Sequence, residues 1–241
     1  MSRLLNFTAA LAATTAALAA TPVLAQDEAP AWAITGTAAF VSDYRFRGVS
    51  LSNKDPAVQA SIQLTSKAGF FVGAWGSSIA TYGGANTEVD LYGGWTGPLG
   101  PLTATIGVYS YLYPGGSGVD VYELYGSLAG TLGPVTATVG VNVAPDQKNL
   151  NRSSRYAYLN LAAAIPDTPI TLKGNIGHEQ GSFVVDGTGT TTKKFDYLIG
   201  ADIKWRALTL GLAYIGNDLP SKNLFNTPAK DRFVVSLTAS F

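Results

Sequence analysis

Apolar and polar side chains alternate along most of the chain with a period of two, the mark of an extended strand whose faces meet different surroundings. From Leu102 to Leu112 one face carries Leu102, Ala104, Ile106, Val108 and Leu112, and the other Thr103, Thr105, Gly107, Tyr109 and Tyr111. Val135, Ala137, Val139, Val141 and Val143 oppose Thr136, Thr138, Gly140 and Asn142 in the same way. At the end of the chain Phe233, Val235, Leu237, Ala239 and Phe241 oppose Arg232, Ser236, Thr238 and Ser240. Twelve such segments are predicted, at about 31–46, 56–66, 69–79, 87–96, 102–113, 119–129, 134–144, 154–165, 169–179, 194–205, 207–216 and 231–241. In the third, Phe70, Phe71, Val72 and Trp75 make both faces apolar, which fits a strand at a protomer contact or against an inward-folded loop.

The lengths matter. A strand of ~10–12 residues, at ~3.3 Å per residue and a tilt of ~45°, crosses the ~25 Å apolar band of an outer membrane. Strands of soluble sandwiches are nearer ~5–6 residues. The connections are alternately long and short: Arg47 to Asp55, Ala80 to Asn86, Ala144 to Ser153, Gln180 to Lys193 and Asn217 to Lys230 are long, with Pro114 to Gly118 the weakest of that set. Lys67-Ala68, the run Gly97 to Pro101, Gly130 to Gly133, Pro166 to Thr168 and the point near Arg206 are short. Bacterial outer-membrane barrels have this asymmetry, with short turns in the periplasm and longer loops outside. Aromatics on the apolar faces gather near strand ends, Trp32, Trp95, Trp205 and Phe241 toward the short turns and Tyr44, Phe46, Tyr122, Phe195, Tyr197, Tyr214 and Phe233 toward the long loops. Two such belts suit the two interfaces of a bilayer. The fold expected is therefore all-β, a closed antiparallel transmembrane barrel of twelve strands, with ten and fourteen as the neighbouring even counts. An even count puts both termini in the periplasm.

The first 25 residues are set apart from that fold. Arg3, the alanine-rich apolar run from Leu4 to Ala20 and the small-residue site ending at Ala25 have the layout of a secretory leader cut before Gln26. Residues 26–241 then form one barrel domain, exported to the outer membrane of a Gram-negative cell. The whole chain has 16 basic and 16 acidic residues, so loss of Arg3 leaves 15 against 16, a formal charge of −1. That balance argues against nucleic acid as a partner. No cysteine is present, which removes disulfides, thiolate metal sites and a thiol nucleophile. With one histidine and no cysteine a metal centre is not expected, and neither is another cofactor. Gly83-Gly84 and Gly115-Gly116 read as turns, because no Lys-Ser/Thr or strand-to-helix context follows them.

Several motifs resemble a known family. Ser42-Asp43-Tyr44-Arg45-Phe46-Arg47-Gly48-Val49-Ser50, Pro56-Ala57-Val58-Gln59, the run Gly69 to Ser77, Glu88-Val89-Asp90-Leu91-Tyr92-Gly93-Gly94-Trp95, and Tyr113-Pro114-Gly115 with Tyr122-Glu123 resemble the proteobacterial TorF-like putative porins. The resemblance spans the mature chain and is strongest over residues 40–125. It implies an outer-membrane pore and says little about cargo.

With the apolar faces turned to lipid, the inward set includes Asp43, Arg45, Arg47, Glu88, Asp90, Glu123, Lys173, Asp196, Asp202, Lys204 and Arg232. A charge facing lipid at the midplane costs about 2–4 kcal/mol, so inward placement follows from energetics alone. Asp43, Arg45, Arg47, Glu88, Asp90, Glu123 and Arg232 are expected to form a ring of paired charges near the outer mouth. Either they only neutralise one another, or opposing rows create a transverse field that selects small polar solutes. Twelve strands lie between filled eight-stranded and open sixteen-stranded barrels. The bore is therefore narrow, with Tyr92, Tyr109, Tyr111 and Tyr125 taking part of it and the loop from Gln180 to Lys193 able to fold inward. The function expected is passive diffusion of small polar solutes or ions, with outer-membrane lipid and lipopolysaccharide as surroundings; nothing fixes the oligomeric state. Two alternatives are a structural or adhesion barrel with a plugged lumen and a lipid-modifying enzyme. The enzyme must use His178, whose neighbours Glu179 and Ser182 are close in sequence, but in a strand Glu179 points to the opposite face.

Overall fold

The computed structural model describes residues 31–150, 152–184, 192–219 and 231–241. The leader expected at 1–25 lies outside them. The strands are β1 (Trp32–Val41), β2 (Arg45–Phe46), β3 (Val49–Ser50), β4 (Ala57–Ser66), β5 (Phe70–Tyr82), β6 (Ala85–Leu99), β7 (Leu102–Leu112), β8 (Val121–Leu132), β9 (Val135–Ala144), β10 (Ser154–Ala164), β11 (Ile170–Gly181), β12 (Lys193–Trp205), β13 (Leu208–Asn217) and β14 (Arg232–Ser240). Among the described residues β1 and β4 to β14, twelve strands in all, close into an antiparallel barrel. Each strand pairs with its sequence neighbours on the wall, and β14 returns to β1 with Thr37 opposite Ser240 and Val41 opposite Ser236. The seam has its own fastening. Gly36 and Phe241 exchange both backbone hydrogen bonds, and a Cβ on Gly36 would meet the Phe241 ring at 2.5 Å. Only a glycine leaves room for that terminal ring.

The wall has the alternation read from the chain. Ile34, Ile106 and Ile199 point outward and are 65, 60 and 68 % exposed, a surface that only a hydrocarbon surrounding makes favourable. Trp32, Trp205 and Phe241 are exposed near the short turns, and Tyr122, Phe195 and Phe233 near the other rim. On the inner face, tyrosines are laid over glycines of the next strand. Tyr92 opposes Gly73, Tyr125 opposes Gly107 and Tyr158 opposes Gly140. A Cβ on Gly73 would come within 2.5 Å of the Tyr92 ring, and one on Gly107 within 2.7 Å of Tyr125. Each glycine therefore lets a ring lie along the wall instead of reaching across the bore.

Three expectations are corrected. The first strand ends at Val41 and not near residue 46. Tyr44 and Phe46 consequently leave the lipid belt: Tyr44 is buried against Trp75, with ring centroids 5.2 Å apart, and Phe46 packs edge-on against Tyr111. The connection after β5 is not a long loop but a two-residue turn in which Tyr82 pairs with Ala85. Gly83 and Gly84 both have positive φ, 58° and 98°, as a tight hairpin turn of this hand requires.

The lipid-facing assignment makes a direct prediction. Val139, near the middle of β9 and pointing outward, is replaced by arginine: Val139→Arg lowers the unfolding free energy in lipid by about 2–4 kcal/mol, read from urea titration of the folded band.

Candidate functional site

The chain that was expected to extend β1 instead turns into the barrel. The Ser42 backbone N–H donates to Val235 O, and Ser42 Oγ accepts from Val235 N, both at 2.9 Å, which ends the wall strand. Residues 43–52 then form a small hairpin. Asp43 organises it: its carboxylate accepts from Arg45 Nε at 2.8 Å and from the Ser50 and Ser52 hydroxyls at 2.5 and 3.3 Å. The tip is Arg47-Gly48, with φ of 48° and 80°. A Cβ on Gly48 would meet Gly216 O at 2.6 Å and the Asp196 Cβ at 2.8 Å, so this glycine serves both the turn and the close approach to the wall. A left-handed arginine costs on the order of 1 kcal/mol, and its guanidinium contacts account for its persistence.

Arg47 is buried at the centre of a network drawn from seven wall strands, β7 to β13. Its Nη2 donates to Glu123 Oε2 on β8 and its Nη1 to Glu179 Oε1 on β11, both at 2.6 Å, and the guanidinium lies 4.3 Å from the centre of the Tyr156 ring on β10. Glu123 Oε2 also accepts from the Tyr111 hydroxyl at 2.8 Å and from Asn142 at 3.2 Å. Burial opposes the charge on Arg47, but the carboxylates of Glu123 and Glu179 outweigh it and hold its pKa well above the usual arginine value. Lys194 on β12 donates to the Arg47 carbonyl at 2.8 Å and stands 2.8 Å from Glu179 Oε2 and 3.3 Å from Asp196 Oδ2. Asn217 on β13 donates to Gly48 O at 2.8 Å. The hairpin tip thus spans the lumen from β8 to β13. Phe183 and Val184, the described start of the loop after β11, pack against it as well, with Phe183 beside Tyr111 and Val184 clustered with Val49 and Leu219; residues 185–191 of that loop lie outside the described residues.

The residues singled out from the sequence fall into several places. Asp43, Arg45 and Arg47 are buried inside the barrel, but on the hairpin and not on the wall. Their alternation is genuine and belongs to the short β2–β3 pair. Glu88, Asp90, Glu123 and Asp196 are buried on the inner face of the wall. Tyr109 and Tyr111 stack on one another on β7, 5.7 Å apart. Lys173 and Asp202 form a separate pair at 2.6 Å, lower in the lumen. Arg232 does not join the charged band: as the first residue of β14 it is exposed at the outer rim and donates to Lys54 O at 3.1 Å. Glu179, Lys194, Tyr156 and Asn217 were missed, although Glu179 and Lys194 share the inward parity of Lys173 and Asp196. His178 lies on the outer face against Phe195, with ring centroids 4.6 Å apart, while Glu179 faces inward and Ser182 Oγ accepts from Arg152 N. Among the described residues these three do not converge. Across the band the buried carboxylates are Asp43, Glu88, Asp90, Glu123, Glu179 and Asp196 and the buried cations Arg45, Arg47 and Lys194, six against three.

The closed wall, apolar outside and polar within, defines a twelve-stranded transmembrane β-barrel. The chain is similar in fold to the KdgM porin, with 9% identity over 86% of this chain and 99% of that one and a TM-score of 0.59; KdgM has also been solved in complex with disordered oligogalacturonate. The NanC porin matches at 10% identity over 87% and 99% of the two chains, with a TM-score of 0.59, and the COG4313 outer membrane channel from Pseudomonas putida F1 at 14% over 91% and 99%, with a TM-score of 0.54. At such identities the likeness is one of fold. No curated protein matches the chain. By sequence the chain belongs to the family described as bacterial protein of unknown function (Gcw_chp), whose model matches residues 25–241.

Arg47→Ala leaves the Glu123 carboxylate buried without a cation and Glu179 with Lys194 alone, which costs the seated hairpin about 3–5 kcal/mol. Amide exchange over residues 43–52 speeds up by at least about a hundredfold, while the β7–β10 wall keeps its protection.

Proposed function

We propose that this protein is an outer-membrane channel through which small polar solutes or ions diffuse passively, with the β2–β3 hairpin as its constriction. One observation carries the reading: the lower half of the lumen is lined by polar side chains left half-exposed. Thr35, Thr37, Ser61, Gln63, Thr105 and Asn175 all face inward there. Side chains that fill a barrel bury one another; these keep part of their surface exposed, as the lining of an aqueous vestibule below the hairpin does. The fold shared with KdgM and NanC, and the TorF-like motifs over residues 40–125, are consistent with a pore. The leader directs export and is removed after Ala25, and the outward belt then sits in lipid and lipopolysaccharide. An acidic polymer such as the oligogalacturonate of KdgM is a poor fit for this chain, since a band with six carboxylates and three cations repels it.

A second reading has an observation of its own. The hairpin is tied to the wall through Arg47, Gly48 and Arg45 and lies across the outer half of the lumen, as a permanent plug in a structural barrel does. Removing the plug separates the two. A variant with residues 43–54 replaced by a short Gly-Ser linker, reconstituted in planar bilayers, conducts several-fold more than the wild type, which itself shows measurable single-channel steps. A silent wild type with a conducting variant selects the permanent plug, and silence from both, with the barrel folded, rejects the channel.

A further inference from the structure

The space beside the hairpin is electrostatically uneven. Arg45 is paired with Asp43, Arg47 with Glu123 and Glu179, and Lys194 with Glu179 and Asp196, so each buried cation of the band is already engaged. Glu88 and Asp90 stand two residues apart on the inward face of β6 and form no ion pair among the described residues. They are 1 and 5 % exposed, and Glu88 Oε2 and Asp90 Oδ1 are buried with no hydrogen-bond partner. Glu88 Oε1 accepts a long hydrogen bond of 3.4 Å from the Tyr113 hydroxyl. A buried acceptor without a donor is costly, and a cation that comes within reach relieves that cost. The aromatic pair of Tyr44 and Trp75 adds ring faces of the kind cations favour.

Resting on the channel reading above, we propose that Glu88 and Asp90 make passage selective for small cations, alkali-metal ions and ammonium groups alike, over anions. On that reading an ion passing the hairpin meets this pair on the inward face of β6, while the three cations of the band are paired with their own carboxylates. Attraction without capture is what conduction needs. The geometry agrees, since among the described residues no three His, Cys, Asp or Glu side chains converge to hold a metal ion.

The test is the reversal potential of the bilayer-reconstituted barrel in a potassium chloride gradient. The wild type passes K⁺ over Cl⁻ by at least about threefold. Glu88→Gln with Asp90→Asn conducts still and loses at least half of that preference; Asp90→Asn alone loses part of it and serves if the double variant does not fold. A wild-type ratio at or below one, or a ratio unmoved in the variants, overturns the proposal while leaving the channel intact. Silence from both the wild type and the hairpin-less barrel brings down the channel and the selectivity together.

Discussion

Hydrocarbon offers no hydrogen bonds, and every backbone N–H and C=O of a strand inside it must find a partner in the next strand. That constraint fixes most of this molecule. It forces β14 back onto β1, because an open edge in lipid would leave a row of unpaired groups. It also turns Ile106, Ile199 and their equivalents outward and leaves polar residues only the lumen to occupy. The ring of Phe241 against Gly36 belongs to the same logic, since the last residue completes the pairing at the one place where the two ends of the chain meet.

Once closed, a twelve-stranded wall surrounds more space than its own side chains fill, and the protein occupies that space unevenly. Toward the end with the short turns the inward residues are small hydroxyls and amides that stay partly exposed. At mid-height tyrosines lie over glycines of the neighbouring strand, so bulky side chains thicken the wall without crossing it. Nearer the outer mouth the first loop fills the centre. Three layers of decreasing access result from one alternating pattern combined with where the glycines fall.

The hairpin is held by charges that would be expensive apart. Buried ion pairs add little net stability over an apolar contact of the same shape, but each partner left alone is strongly unfavourable. Arg47 between Glu123 and Glu179, and Lys194 between Glu179, Asp196 and the Arg47 carbonyl, therefore specify position more than they add stability: the tip fits where all its partners are met and nowhere else in the lumen. The Glu88 and Asp90 carboxylates lie beside this network without belonging to it.

The sequence alone was enough for the wall. Period-two alternation, strand length, the short turns and the aromatic rims of Trp205, Phe233 and Phe241 are local consequences of a strand with lipid on one side, and local chemistry can be read from local pattern. The same parity put Glu88, Asp90, Glu123 and Asp196 inside. The hairpin was not legible, for a physical reason. Residues 42–50 alternate as well as any wall strand, and nothing in Tyr44-Arg45-Phe46-Arg47-Gly48 says whether the alternation pairs with β14 or with itself. What decides is whether carboxylates from β8 and β11 and a lysine from β12 come together around Arg47, and those residues are 76, 132 and 147 positions away along the chain. Only closure of the barrel brings them within reach, so the constriction exists as a property of the tertiary structure and of no single segment.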